Sequence, residues 1–144
     1  MSTVAGNVSV SPAQAEIGNL GTVLMVEDDG PLRRAVSSGL RRQGFSVHEA
    51  GDGTAAVAFF AAHAAEVGIV LLDITLPAMS GQQVFERLEQ IRPDVKVILT
   101  TALSEEVIMG TIGSRRPCAF VRKPYRIMDL VQLIRAAQTQ KGTG

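Results

Sequence analysis

Apolar and polar positions change rhythm several times along this chain, and each change marks a predicted element. Thr22-Val23-Leu24-Met25-Val26 is a short apolar run ending in acids, as a buried strand does. Asp29-Gly30-Pro31 opens a helix with proline in its first turn; Leu32, Val36 and Leu40 recur every four residues, and Gly44 stops it. Phe45 to Glu49 alternates as a second strand, and Asp52-Gly53 starts an alanine-rich helix running through about Ala65. Gly68 to Asp73 is apolar until its last residue, as a strand covered on both faces should be.

Val84, Leu88 and Ile91 form the stripe of a third helix, which Pro93 ends. Val95 to Thr100 is a fourth strand. Ser104 to about Ile112 is a weaker helix, interrupted by Gly110 and followed by Gly113. Cys118 to Val121 is a fifth strand, and Ile127, Leu130, Val131, Ile134 and Ala137 mark the last helix. Five strand–helix units in succession require right-handed crossovers, hence an α/β fold with a parallel, doubly wound sheet and helices on both faces. Residues 1–20 show no sustained period and are expected to be a flexible arm or linker. Residues 21–138 are expected to form the domain and 139–144 a tail.

Composition narrows the function. The 144 residues fit one domain, and 46% hydrophobic with 19% charged residues suits a globular core. Fourteen basic and 14 acidic residues cancel, which argues against general binding to nucleic acid or anionic membrane. Cys118 is alone, so no intrachain disulfide is possible, and a reducing, cytoplasmic setting is expected. No apolar run approaches the ~20 residues that span a bilayer, and no signal peptide is apparent.

The chemistry is concentrated at strand ends. Glu27-Asp28-Asp29, Asp73, Thr100-Thr101 and Lys123 each follow an apolar strand, and parallel open sheets bind ligands beyond those ends. Two carboxylates 4 Å apart repel by about 4 kcal/mol at an effective dielectric near 20. A hard divalent cation such as Mg²⁺ would remove that cost. Glu27, Asp28 and Asp73 could supply its oxygens, but the acidic triplet equally suits the start of a helix. Asp73 could instead cap a turn. A Lys123 pointing inward would offset the acids and bind phosphoryl oxygens; alternation sends neighbouring Arg122 the other way and lets only one of Thr100 and Thr101 face the site.

Taken in order, four segments resemble the receiver domains of bacterial response regulators in two-component signalling. They are Val23 to Pro31, Leu71 to Gly81, Val97 to Ala102, and Phe120 to Tyr125, and the similarity covers roughly residues 21 to 138. The resemblance implies a flavodoxin-like sheet of order 2-1-3-4-5. It implies that Asp73 is the phosphoacceptor, and that Glu27, Asp28, Asp73 and the Thr75 carbonyl hold Mg²⁺. Thr101 and Lys123 would contact the phosphoryl group, and Phe120 would follow Thr101, although Phe120 can also be read as plain core. Thr75 and Leu103 would flank the path of the water that removes the phosphoryl group, and the Lys123–Pro124 bond would be cis.

The implied partners are a histidine kinase or a histidine phosphotransfer protein. Self-pairing through the fourth helix, fifth strand and fifth helix is a further possibility. The wording around Arg92 to Lys96 is similar to receivers fused behind hybrid histidine kinases. Two alternatives remain. One is a receiver-like interaction module that takes no phosphate. The other is a haloacid-dehalogenase-type phosphatase, which needs an acid two residues after its nucleophile, where this chain has Thr75. The chain is therefore expected to be a signalling domain rather than an enzyme.

Overall fold

The structure, a computed structural model, describes residues 21–113 and 115–139. The expected N-terminal arm lies outside the described residues, as does the expected tail beyond Thr139. The elements alternate strictly: β1 (Thr22–Val26), α1 (Gly30–Arg42), β2 (Ser46–Ala50), α2 (Gly53–His63), β3 (Val67–Asp73), α3 (Gly81–Ile91), β4 (Val97–Thr101), α4 (Glu105–Ile112), β5 (Ala119–Arg122) and α5 (Ile127–Thr139). All strand pairs are parallel, in the order β2-β1-β3-β4-β5. This is the doubly wound arrangement expected from the alternation.

Strand alternation divides the apolar residues into two cores. Leu24, Val26, Val70, Leu72, Val97 and Leu99 face one side, where they pack with Ala56 and Phe60 of α2, Val84, Phe85 and Leu88 of α3, and Ile108 and Ile112 of α4. Val23, Met25, Ile69, Leu71 and Ile98 face the other, under Val36 and Leu40 of α1 and Leu130, Val131 and Ile134 of α5. β1, β3 and β4 are therefore apolar on both faces, which explains their unbroken runs in the sequence.

Several expectations shift. β2 and β5 each begin one residue later than the sequence suggests, and β4 runs from Val97 to Thr101 rather than from Val95 to Thr100. Pairing decides these limits: Thr101 stands opposite Arg122, which extends both strands. In α3, Ile91 is 37% exposed and Phe85 is buried, so the packed stripe is Val84, Phe85 and Leu88. Only Gly110 lies inside α4; Gly113 closes it at a φ of 66°.

Candidate functional site

Five polar or charged side chains are buried among the described residues, and four of them, Glu27, Asp73, Thr100 and Thr101, stand at the C-terminal edge of the sheet. Buried polar groups cost free energy unless they are partnered or used, so this edge is where function is to be sought.

Each acid is placed by the turn that follows its strand. β1 ends at Val26 and the chain then divides the acidic triplet. Asp29 is the N-cap of α1, its Oδ1 accepting from the Leu32 N–H at 3.1 Å. Glu27 turns inward and is 1% exposed. Its Oε2 accepts from the Asp29 N–H at 3.2 Å. Asp28 is exposed, yet its carboxylate joins those of Glu27 and Asp73, with one oxygen from each lying within 4.8 Å of the others. The cap thus falls on Asp29, and the carboxylates that could hold a cation are those of Glu27 and Asp28.

Asp73 ends β3 and is held from both sides. Its Oδ1 accepts from the Thr75 N–H and the Thr75 hydroxyl, both at 2.9 Å. Its Oδ2 accepts from Lys123 Nζ at 2.9 Å. Behind it, α3 begins almost in contact with the strand end. A Cβ on Gly81 would lie 2.4 Å from Ile74 Cα and 2.8 Å from the Asp73 carbonyl oxygen, so only glycine allows this approach. Ser80 and Gln83 form a capping box that fixes the start of α3.

Lys123 reaches in from the β5–α5 turn, where the Lys123–Pro124 peptide is cis. Its ammonium lies 2.8 Å from Glu27 Oε1 as well as 2.9 Å from Asp73 Oδ2. Arg122 points outward, as alternation requires. Burial alone would lower the Lys123 pKa, but its bonds to Glu27 and Asp73 outweigh burial and raise it. Burial raises Glu27 above the usual carboxylate range; the Lys123 bond pulls it down, and the charge of Asp73 pushes it up. Tyr125, one residue beyond Pro124, is pushed up to about 12 by burial and by the negative charge of Glu27.

Thr101 ends β4. Its Oγ1 accepts from the Leu103 N–H at 2.9 Å, which leaves its own O–H free to donate. Phe120 stands opposite Leu99 and packs in the same core. Thr101, two residues beyond Leu99, shares that face by alternation, which puts Thr101 and Phe120 on one side of the sheet. Leu103 is 41% exposed just beyond the strand.

The donor set fits a hard cation. Three carboxylates converge, and oxygen donors suit Mg²⁺. Glu27 Oε1 is fully buried, and Lys123 Nζ at 2.8 Å is the charge it faces; a cation beside it would add to that compensation.

Sequence reasoning missed two features. One is the Thr75 hydroxyl on Asp73; an aspartate bonding the main chain two residues on is a common turn, but nothing in that pattern marks the hydroxyl. The other is Arg33 of α1, whose Nη1 donates to the Glu27 carbonyl at 2.9 Å. No spacing rule signals a side chain that reaches a main-chain carbonyl.

Known proteins point the same way. A family model described as the response regulator receiver domain matches residues 23–135. The probable transcriptional regulatory protein TcrX of Mycobacterium tuberculosis is 37% identical over 123 residues, which is 84% of this chain and 51% of that protein. The sensor kinase CckA of Brucella abortus is 28% identical over 120 residues, 83% of this chain but only 13% of the kinase. This chain thus spans at most about half of either relative. The crystal structure of the CheX–CheY–BeF3–Mg²⁺ complex from Borrelia burgdorferi superposes with a TM-score of 0.74 and 26% identity, covering 81% of this chain and 87% of that one.

Proposed function

This chain belongs to the response regulator receiver domain family, and we propose that it accepts a phosphoryl group on Asp73 and changes shape in response. The observation that supports this reading is the pairing of Lys123 with both Asp73 and Glu27, beside the exposed carboxylate of Asp28. Glu27, Asp28 and Asp73, with the Thr75 carbonyl, would hold Mg²⁺. When bound, Mg²⁺ would offset the charge of the phosphoryl oxygens.

The chain's own residues do the rest by position and charge. The Thr75 amide and hydroxyl hold Asp73 Oδ1, which fixes the carboxylate plane. An Asp73 oxygen attacks phosphorus; the O–P bond forms as the P–N bond to the donor histidine breaks. Lys123 neutralises charge on the transferred group. The free O–H of Thr101 donates to a phosphoryl oxygen, and its movement is passed to Phe120 on the same face of the sheet. The surface of α4, β5 and α5 then changes.

The donor is a histidine kinase or a histidine phosphotransfer protein, the setting is cytoplasmic, and the domain is a signalling element rather than an enzyme. Self-pairing through α4, β5 and α5 is one use of the switched surface. The test is labelling with acetyl phosphate and Mg²⁺, read by mass spectrometry. Wild type gains one phosphoryl group and Asp73→Asn gains none; undiminished labelling of Asp73→Asn overturns the assignment.

A further inference from the structure

Arg33 of α1 reaches the main chain of the acidic turn while belonging to none of the groups assigned above. Its Nη1 donates to the Glu27 carbonyl at 2.9 Å, and its Nε lies 3.3 Å from Glu49 Oε1. Glu49 also takes Arg41 Nη1 at 3.3 Å, so one carboxylate is shared between two arginines. The guanidinium passes over Gly51, where a Cβ would stand 3.1 Å from Arg33 Nη1. The Glu27 N–H is fixed as well, donating to the Ala50 carbonyl at 3.1 Å. Both peptide groups of Glu27 are thereby held, one by β2 and the other by Arg33.

We propose that Arg33 is a positioning residue of the acid pocket: by gripping the Glu27 carbonyl it sets the direction in which the Glu27 and Asp28 carboxylates leave the main chain, and so the affinity for a divalent cation. The inference rests on the proposed Mg²⁺ site. Its physical basis is that the carbonyl of Glu27 belongs to the same peptide plane as the nitrogen of Asp28. Rotating that plane swings the Asp28 side chain. A planar guanidinium can bond the carbonyl and Glu49 together, whereas an ammonium is a single point of charge. Arg33 also places a positive charge near the cation, which by itself would weaken binding. Glu49, shared with Arg41, offsets only part of that charge, so the variant that keeps the charge is the one that isolates the grip.

The sign of the effect separates grip from charge. Outer-shell partners of metal ligands change affinity by about 10- to 100-fold when removed; acting through a carbonyl, Arg33 falls at about the lower limit. Calorimetric titration with MgCl₂ should show a dissociation constant about tenfold higher for Arg33→Gln. Arg33→Lys keeps the charge and most of the stem but loses the fork, and it should move in the same direction. The Mg²⁺ dependence of labelling by acetyl phosphate gives a second readout. Half-saturation should rise in both variants while the rate at saturating Mg²⁺ stays near wild type; general damage to the fold would lower the plateau.

Unchanged or tighter Mg²⁺ binding in Arg33→Lys overturns the proposal, and so does a lowered plateau with unchanged half-saturation. Should Arg33→Gln not fold, Arg33→Lys decides alone. Absence of Mg²⁺ binding in wild type, or full binding in Asp28→Ala, overturns the cation site itself, a different result from a site that binds but ignores Arg33.

Discussion

Two connections leave the sheet side by side, and they are built differently. The β3–α3 connection is fastened at every step. Asp73 holds Thr75, Ala78 sits at a φ of 56°, Gly81 presses against Ile74, and a capping box closes the helix. The β4–α4 connection has a turn bond of its own, from the Leu103 N–H to Thr101 Oγ1 at 2.9 Å, but its helix cap is long, from the Val107 N–H to Ser104 Oγ at 3.4 Å. Leu103, Val107 and Met109 are 41%, 52% and 39% exposed, and a Cβ on Gly110 would meet nothing within 4 Å. Each connection suits a different task in the proposed switch. The bonds around Asp73 suit the position-dependent chemistry proposed for it. The neighbouring helix, anchored by the buried Ile108 and Ile112 while Val107 and Met109 are exposed, suits the element proposed to move. Arg115, just past α4, links the two through ion pairs to Glu86 at 2.6 Å and Glu89 at 3.0 Å on α3.

The largest expected effect tests the fastened side. Gly81→Ala places a methyl group against backbone that cannot yield, and overpacking of this kind costs about 1–3 kcal/mol. Chemical denaturation should show that loss; stability equal to wild type would mean that α3 is not pressed against the strand end. The next test uses one residue from each connection. Thr75 and Leu103 lack the amide or acid that would orient a water toward the acyl phosphate, so a long-lived phosphoprotein is expected. Thr75→Asn with Leu103→Glu should shorten its life by about tenfold, a change of roughly 1.4 kcal/mol in the barrier. Decay of radiolabelled protein after donor removal measures it, and an equal lifetime defeats the water-path argument.

A smaller effect of opposite sign is expected on the loose side. Gly110→Ala removes a helix-interior glycine in open space and should stabilise α4 by up to about 1 kcal/mol. Slower hydrogen exchange of α4 amides would register it, and faster exchange would show that α4 is already well packed. The last probe does nothing at neutral pH. The Lys123 and Tyr125 pKa values are raised. Stability from these groups is therefore complete below their unfolded values, near pH 10, and is lost as pH rises through the folded ones. With one tyrosine and no tryptophan in the chain, ultraviolet titration reads Tyr125 alone, with a midpoint of about 12 in the folded protein. A midpoint near 10 under native conditions would place its hydroxyl in water.

Much of the fold was legible because it depends on period. β1, β3 and β4 read as buried strands from their apolar runs, and caps such as Asp29, Asp52 and Ser104 stood where the helices begin. Boundaries were less legible, since pairing across the sheet decides them, as with Thr101 and Arg122. In α3 the helical spacing led to Ile91, whereas packing chose Phe85, adjacent to Val84. The strand-end acids and Lys123 were legible because the end of an apolar strand is visible in sequence. Arg33 and the Thr75 hydroxyl were hidden, since their bonds depend on where a turn aims an atom.

The strand order has a consequence for how the chain is made. β1 lies between β2 and β3, and Val23 stands beside both Val47 and Ile69. During synthesis at about 5–20 residues per second, β3 emerges seconds after β2. For that interval one side of an apolar strand has no neighbour. A ribosome that stalls after α2 would therefore expose an open β1 edge, a template for pairing with a second nascent chain.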